Sequence, residues 1–361
     1  MNKHRCGLSV ITYTYNDHAL AAGLLASMKD WDCLPREILV VDDGSRPPFV
    51  PPPCEPRARV IRLPANQGPA QAKIAGLGAA ASRFLLSLDA DIRLPPDWVS
   101  RCLPAAARDD TGLVATAIVT DAGEGLLAAY QRLCFSPMAG RSGEPKVMPA
   151  GVWLLRREVW ARHGFPEYRE RLHEDVYFSD KLRRAGLGLR VLPGEPARQI
   201  RRLSRHTTVR RGWTWQGREY LAAVTDNPVD PVNAFLLAMR GRMESHQAAD
   251  PRFGYYDYLY AAYALASLAR ASGRPVAFTS ALAARLASDL PGPEPADVFR
   301  HDMAALGFPS VPSGPDPLIA AIRRGLRSIL PAGFDAAVAG ALPHLREEDR
   351  RGDWDFSLYD G

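Results

Sequence analysis

The sequence predicts an α/β fold: an open, mostly parallel sheet flanked by helices, followed by a mainly α-helical C-terminal region. Three observations predict it. Short β-rich apolar runs alternate with helix-forming stretches across residues 8–192, as expected of a sheet covered by helices. Acid pairs stand at the ends of two of those runs, where an open α/β sheet presents its ligand edge. After about Trp213 the strand signals stop and the chain reads as almost wholly helical.

Strands are predicted at 8–13, 37–42, 59–63, 84–88 and 113–119. Asp17 stands as N-cap of a helix reaching Asp30, residues 67–81 form an Ala-rich helix, and Pro95-Pro96 opens another that includes Trp98. The proline-rich stretch 49–56 reads as a surface loop. A second block follows as strand 152–155, helix, loop, helix 174–185 ended by Gly186, and strand 189–192. The expected division is a domain at 1–212, a helical domain at 213–345 and a partly disordered polar tail at 346–361. The stripe Tyr255, Tyr256, Tyr258, Tyr260 and Tyr263 has core spacing.

A chain of 361 residues can bury a large core, and 47% hydrophobic with 24% charged residues excludes disordered, fibrous and membrane-spanning classes. The longest apolar run, 258–268, is well short of the roughly 18 to 20 residues a bilayer crossing needs. With no basic-then-apolar N-terminal segment, the expected location is the cytoplasm, with membrane association left open. Five scattered cysteines without a CxxC pair are expected to be reduced thiols. The net charge is +5, and all but five of the 45 basic residues are arginine, a bias of the kind genome composition imposes. Locally, residues 196–211 hold six arginines and no acid, which points to a phosphate-bearing ligand or an anionic surface; no nucleic-acid recognition motif accompanies them.

The strongest chemical feature is the run Phe84-Leu-Leu-Ser-Leu-Asp-Ala-Asp91. Side chains at i and i+2 of an extended chain face one way, so Asp89 and Asp91 are expected to meet one hard divalent cation, as neutralising a nucleotide diphosphate requires. The second strand ends in Val40-Val-Asp-Asp-Gly-Ser45, where Asp42 or Asp43 could accept a hydrogen bond from a base or a ribose. Asn66-Gln-Gly68 opens a helix that carries Lys73, a cation near a phosphate-favouring helix N-terminus. Glu174 and Asp175 open a later helix, and Asp175 is ionised at neutral pH and available as a base. Gly76-Leu-Gly-Ala-Ala-Ala81 spells a dinucleotide fingerprint but lies inside a helix, so close helix packing is the preferred reading.

The ordered set ITYTYN, VVDDGS, NQGPAQAKIAG, LLSLDADI, PAGVWLLRREVWARHGFPE and HEDVYFSDKLRRAGLGLRVLP resembles glycosyltransferase family 2, whose GT-A-fold enzymes use nucleotide-diphosphate sugars. The resemblance implies a role for Thr12, Asp42 and Asp43 in holding the nucleoside and brings Lys73 to the base or diphosphate. It implies Asp89 and Asp91 as the DxD pair, with Asp89 shared between ribose and metal, and His206 as a further metal ligand. Asp175 would be the catalytic base and Glu174 its orienting neighbour. Gly151 to Trp153 would floor the sugar site, with Trp153 on the acceptor side. The Arg-rich stretch could close over the diphosphate, with Arg210 or Arg211 as clamps, or face an anionic acceptor such as a lipid-linked phosphate. Pro166, in His163-Gly-Phe-Pro-Glu167, stands where the family commonly has an acid. The implied activity is an inverting, Mn²⁺- or Mg²⁺-dependent sugar transfer. The implied donor is a UDP-sugar by preference, or a GDP- or dTDP-sugar, and the acceptor a glycan, lipid-linked or protein hydroxyl, with homodimer or peripheral membrane contact left open. A non-catalytic sugar-nucleotide-binding or scaffold protein is the alternative, which the intact DAD and HED runs disfavour.

Overall fold

The structure, a computed structural model of the chain, describes residues 4–53, 55, 58–136, 142–223 and 229–351. Cys54 and residues 352–361 of the expected tail lie outside them. The chain divides into two units, residues 1–122 with 135–201 and residues 123–134 with 202–361.

The first unit is built on an eight-stranded sheet. Its elements are β1 (His4–Thr14), α1 (His18–Ser27), β2 (Cys33–Asp42), β3 (Arg59–Arg62), α2 (Pro69–Ala79), β4 (Phe84–Asp89), β5 (Ile92–Arg93), α3 (Trp98–Ala106) and β6 (Thr111–Thr120). After α4 (Leu126–Phe135), nearly all of which belongs to the second unit, come β7 (Val152–Arg156), α5 (Arg157–His163), α6 (Glu174–Arg184) and β8 (Gly188–Gln199). The strand order is β3-β2-β1-β4-β7-β6-β8-β5. The pairs β2/β3, β1/β2, β1/β4 and β6/β8 are parallel, while β4/β7, β6/β7 and β5/β8 are antiparallel. This is the architecture expected from the sequence, an open and mostly parallel sheet flanked by helices.

Strand alternation explains why the apolar runs are continuous: both faces of the sheet are buried. Leu8 and Val10 join Ile38, Val40, Leu86 and Leu88 in one core, whereas Ile11 joins Leu39 and Leu85 in the core on the other face. Helix α2 lies on the Ile11 face, and Gly76 lets it approach: a Cβ there would overlap Ile11 Cγ2 and sit 3.1 Å from Val41 Cγ2. Close packing is therefore the role of this glycine. Gly76→Ala is expected to cost about 1–3 kcal/mol in chemical denaturation through overpacking, with little change in m.

Three features depart from the sequence reading. Strand β8 runs on to Gln199, so Arg198, the first arginine of 196–211, belongs to a strand paired with β6 and β5, beyond the strand end expected at 192. Cys6 and Cys33 are joined as a disulfide across β1 and β2, with Cα atoms 5.9 Å apart, where reduced thiols were expected; parallel pairing brings together residues distant in sequence. The division falls after Arg201 rather than 212, because α7 (Arg205–Gln216) places Val209 and Trp213 in the core of the helical unit.

The second unit is helical. Its centre is α10 (Gly254–Ala271), following α8 (Arg218–Ala223) and α9 (Val229–Ala249) and followed by α11 (Val276–Ala287), α12 (Pro293–Ala305), α13 (Pro317–Ser328) and α14 (Phe334–Arg351). Tyr255, Tyr256, Tyr258 and Tyr260 are buried in its core, as their spacing predicted. The first residues of the expected tail, up to Arg351, continue helix α14.

Candidate functional site

Two short turns build the carboxyl edge of the sheet. Strand β1 ends at Thr14, and Asn16, at φ 56°, turns the chain toward the loop after β2. There Ser45 Oγ accepts from Asn16 N at 3.0 Å, and Arg46 N donates to Asn16 Oδ1 at 2.8 Å. Gly44 holds φ 78°, and a Cβ on it would lie 2.6 Å from the Ala65 carbonyl carbon, so the turn after the Asp pair closes only around glycine.

Asp42 and Asp43 organise this edge. Asp42 accepts from Ser45 N at 2.9 Å and Phe49 N at 3.0 Å, and pairs with Arg62. Burial works to raise its carboxyl pKa, but these donors outweigh it and the net shift is downward. Asp43 accepts from Gln67 N and Gly68 N, both at 2.8 Å, and so clamps the start of α2; burial leaves its carboxyl raised despite those bonds. Thr12 is fully buried one pleat inside β1, opposite Val40 and Leu88, and among the described residues its hydroxyl has no hydrogen-bond partner. Thr14, in register with Asp42, is the threonine nearer the edge, and its buried hydroxyl likewise has no hydrogen-bond partner among the described residues.

The pair Asp89 and Asp91 does not sit as i and i+2 of one strand. Strand β4 stops at Asp89, and Ala90 and Asp91 form a turn before β5. Asp89 accepts from Tyr13 Oη, its register partner on β1, at 2.6 Å and pairs with Lys73 at 3.3 Å. Lys73, only 1% exposed, reaches Glu174 Oε1 at 2.9 Å and Tyr13 Oη at 3.1 Å, over the rings of Tyr13 and Trp153. Burial alone would depress the Lys73 ammonium, but Asp89, Glu174 and Tyr13 outweigh it and hold the pKa well above its ordinary value. The lysine is thus an internal counter-ion, where the resemblance had it approach the base or diphosphate. Burial raises the Asp89 carboxyl, which Lys73 opposes and the Asp91 charge reinforces.

Asp91 is held by a different cation. Its Oδ2 accepts from Arg201 Nε at 2.8 Å and Gln199 Nε2 at 3.1 Å, and Arg201 also pairs with Asp17 at 2.7 Å. Asp17 occupies the N-cap position of α1, yet its carboxylate makes no capping bond and goes to the guanidinium. Burial would lower the Arg201 pKa, but Asp91 and Asp17 raise it strongly. Arg201 and Tyr13 are the site residues the sequence reading missed. Arg201 stood as one of six arginines, and only the presence of nearby acids needing a buried partner could have singled it out.

Helix α6 brings in the last acids. His173, at φ 68°, turns the chain so that Glu174 and Asp175 form its first turn, at the positive end of the helix. Glu174 is buried on Lys73, while Asp175 is half-buried and accepts from Val176 N at 2.8 Å. Burial, then the Glu174 charge, raises the Asp175 carboxyl above its ordinary value; the Val176 N–H and Lys73 oppose them. Asp89, Lys73, Glu174 and Asp175 therefore meet at one end of the sheet, and Asp91 interacts with Asp89 from the adjoining turn.

Other expected residues lie elsewhere. His206 belongs to the helical unit, where Nε2 lies 2.9 Å from Asp302 Oδ1, a carboxylate that also holds Arg205. Arg210 donates to Ala305 O, and Arg211 lies over the Trp215 ring, both within that unit. Trp153 is a core residue, fully buried beside Phe165 and Phe178 with its indole N–H on Met148 O, which corrects the acceptor-side expectation. Glu167 is turned to Lys181 and Tyr177.

A sheet edge lined by carboxylates, with both faces covered by helices, defines an α/β domain that takes its ligand outside the strand ends. Residues 9–163 match the family described as Glycosyl transferase family 2. Similar curated proteins include the succinoglycan biosynthesis protein ExoO of Rhizobium meliloti (strain 1021), 41% identical over 73 residues, covering 19% of this chain and 21% of that protein. Another is the pre-mycofactocin glycosyltransferase of Mycobacterium tuberculosis (strain ATCC 25618 / H37Rv), 30% identical over 171 residues, covering 43% of this chain and 36% of that one. The chain thus spans about a fifth and about a third of these relatives. Among solved structures, mannosyltransferase PcManGT from Pyrobaculum calidifontis in complex with GDP-Man and Mn²⁺ is 18% identical at TM-score 0.44, covering 94% of this chain and 87% of that one. The S. aureus TarS 1-349 complex with UDP-GlcNAc is 15% identical at TM-score 0.43, covering 89% and 90%. No described helix is long and apolar enough to cross a membrane.

Proposed function

We propose that this protein transfers a sugar from a nucleotide-diphosphate donor to an acceptor hydroxyl with inversion, using Asp175 as general base and a divalent cation held by Asp89 and Asp91. The observation that carries the reading is the convergence of Asp89, Lys73, Glu174 and Asp175 at one end of the sheet, in a domain whose family transfers glycosyl groups.

The carboxylates fit a hard cation. A Cβ on Gly151 would lie 3.8 Å from Asp89 Oδ2, so the glycine leaves that oxygen approachable while Tyr13 and Lys73 occupy Oδ1. Among the described residues no group of three or more His, Cys, Asp or Glu could hold a metal. Mg²⁺ and Mn²⁺ are commonly bound by one or two carboxylates plus phosphate oxygens and water, which suits this pair. His206 Nε2 is already engaged with Asp302, and the ligand set proposed here is Asp89 and Asp91. The cation, when bound, neutralises the diphosphate and takes up leaving-group charge.

The chain's own residues do the rest. Lys73 pairs with both Asp89 and Glu174 in a buried setting and fixes their side chains, so Glu174 is a positioning residue for the start of α6. Asp175 removes the acceptor proton as the hydroxyl attacks the anomeric carbon opposite the diphosphate. An oxocarbenium-like transition state, as in glycoside hydrolysis, needs one base for inversion and no enzyme nucleophile. Asp43 and Asp42 shape the nucleoside end by fixing the turn at Gly44 and the start of α2.

A thermal-shift screen of UDP, GDP and dTDP with and without Mn²⁺ tests the reading. One nucleotide should raise Tm in the presence of Mn²⁺, by an amount set by its affinity. Asp91→Asn should abolish most of that rise. A shift equal in size without metal, or none with any nucleotide, would contradict the proposal.

A further inference from the structure

Arg201 is the best-buried cation beside Asp91, and the proposed reaction gives it no chemical step. Its side chain is 9% exposed, and those of Asp17 and Asp91 are 3% each. Nε donates to Asp91 Oδ2 at 2.8 Å and Nη2 pairs with Asp17 Oδ2 at 2.7 Å, so one planar fork spans two carboxylates in a fixed geometry. The peptide following the strand joins the clamp: Ile200 N donates to Asp91 O at 2.9 Å, and Gln199 Nε2 to Asp91 Oδ2. Asp17 and Asp91 face the same guanidinium, and without it they would be two neighbouring hard-oxygen anions at the sheet edge.

Such a pair is itself a divalent-cation trap. Beside it Asp89 has its own counter-ion in Lys73, so the two acids of the DAD run carry separate built-in cations, one from α2 and one from the segment after β8. We infer that Arg201 is a positioning residue that holds Asp91 to the start of α1 and keeps the nucleotide-free site weak for divalent metal, so that cation and nucleotide diphosphate bind together rather than metal first. This rests on the proposed metal role of Asp89 and Asp91. Repulsion between a guanidinium and a dication a few ångströms apart changes affinity by about tenfold or more at effective dielectrics of 20 to 80, enough to decide the order of binding.

The test is Mn²⁺ titration followed by the electron paramagnetic resonance signal of the free aquo ion, on full-length protein whose fold is checked by circular dichroism. Arg201→Met should bind Mn²⁺ at least about tenfold more tightly than wild type with no nucleotide present. Arg201→Lys, which keeps the charge but not the fork, should stay within about threefold of wild type. Should Arg201→Met not fold, Asp17→Asn gives the reading: it leaves Arg201 to Asp91 alone, and nucleotide-free Mn²⁺ affinity should fall. Unchanged or weaker Mn²⁺ affinity in folded Arg201→Met, or unchanged or tighter affinity in Asp17→Asn, would overturn the inference. The same titration with UDP and GDP separates the two levels. If neither nucleotide strengthens Mn²⁺ binding to wild type, the proposed metal role fails; if one does while the variants miss their expected changes, only the role of Arg201 fails.

Discussion

Asp175→Asn lowers turnover by about 10² to 10⁴, the range general-base removal produces, while donor and metal binding persist. The substitution is nearly isosteric, and an asparagine Oδ1 can still accept from Val176 N, the contact that orients Asp175 in the structure. Loss of turnover therefore reports the missing proton acceptor and not a displaced helix. Burial and the adjacent Glu174 charge raise the Asp175 pKa. A base must be deprotonated to act, so kcat/KM falls as pH drops through that raised value, and the acid limb lies above the ordinary aspartate range near 4. The residual activity of the variant lacks this limb. Turnover unchanged in Asp175→Asn would remove the residue from the role.

Lys73→Met is the largest expected stability effect in the first unit. The ammonium is buried between Asp89 and Glu174, with Tyr13 Oη on its third side. Removing one partner of a buried ion pair typically costs about 3–5 kcal/mol because the remaining charge is left uncompensated. The sign of the pH dependence follows. Burial already raises the folded-state pKa of Asp89, and loss of Lys73 raises it further. A carboxyl whose folded pKa lies above its unfolded value is penalised as pH rises through that interval, so the deficit of the variant is smallest near pH 4 and grows toward neutrality. Urea denaturation of wild type and variant at pH 4.5 and 7.5 checks this. A deficit independent of pH, or one below about 1 kcal/mol at pH 7.5, would mean the lysine is not the counter-ion of this cluster.

Much of the first unit was legible because its strands are short apolar runs buried on both faces and bounded by turn residues. β1, β2, β3, β4 and β6 all fall where the pattern predicts them. The two-residue β5 carries too little signal to be seen, and the antiparallel sense of β7 depends on tertiary pairing. The length of β8 was hidden by glycine, proline and arginine in positions that pair with β6 and β5. In the site, the DAD and HED runs were legible as motifs, but i, i+2 alternation failed at Ala90, where the chain leaves the strand. The two carboxylates consequently take different counter-ions. A sequence shows that Arg201 and Lys73 are cations without showing that they are inside, and it shows Trp153 as aromatic without showing that Phe165 and Phe178 enclose it. His206 was placed by motif order, whereas helix α7 carries it into a unit with its own buried acid, Asp302.

The most direct test is the configuration of the first product. With the donor that the nucleotide screen selects, time-resolved proton NMR of the transferred sugar, or of the sugar released to water when no acceptor is supplied, reads the anomeric coupling before mutarotation. An α-linked donor is expected to give the β anomer first, with the rate falling in step with loss of Asp175. An α anomer formed first by wild type would contradict a single-base displacement at this sheet edge.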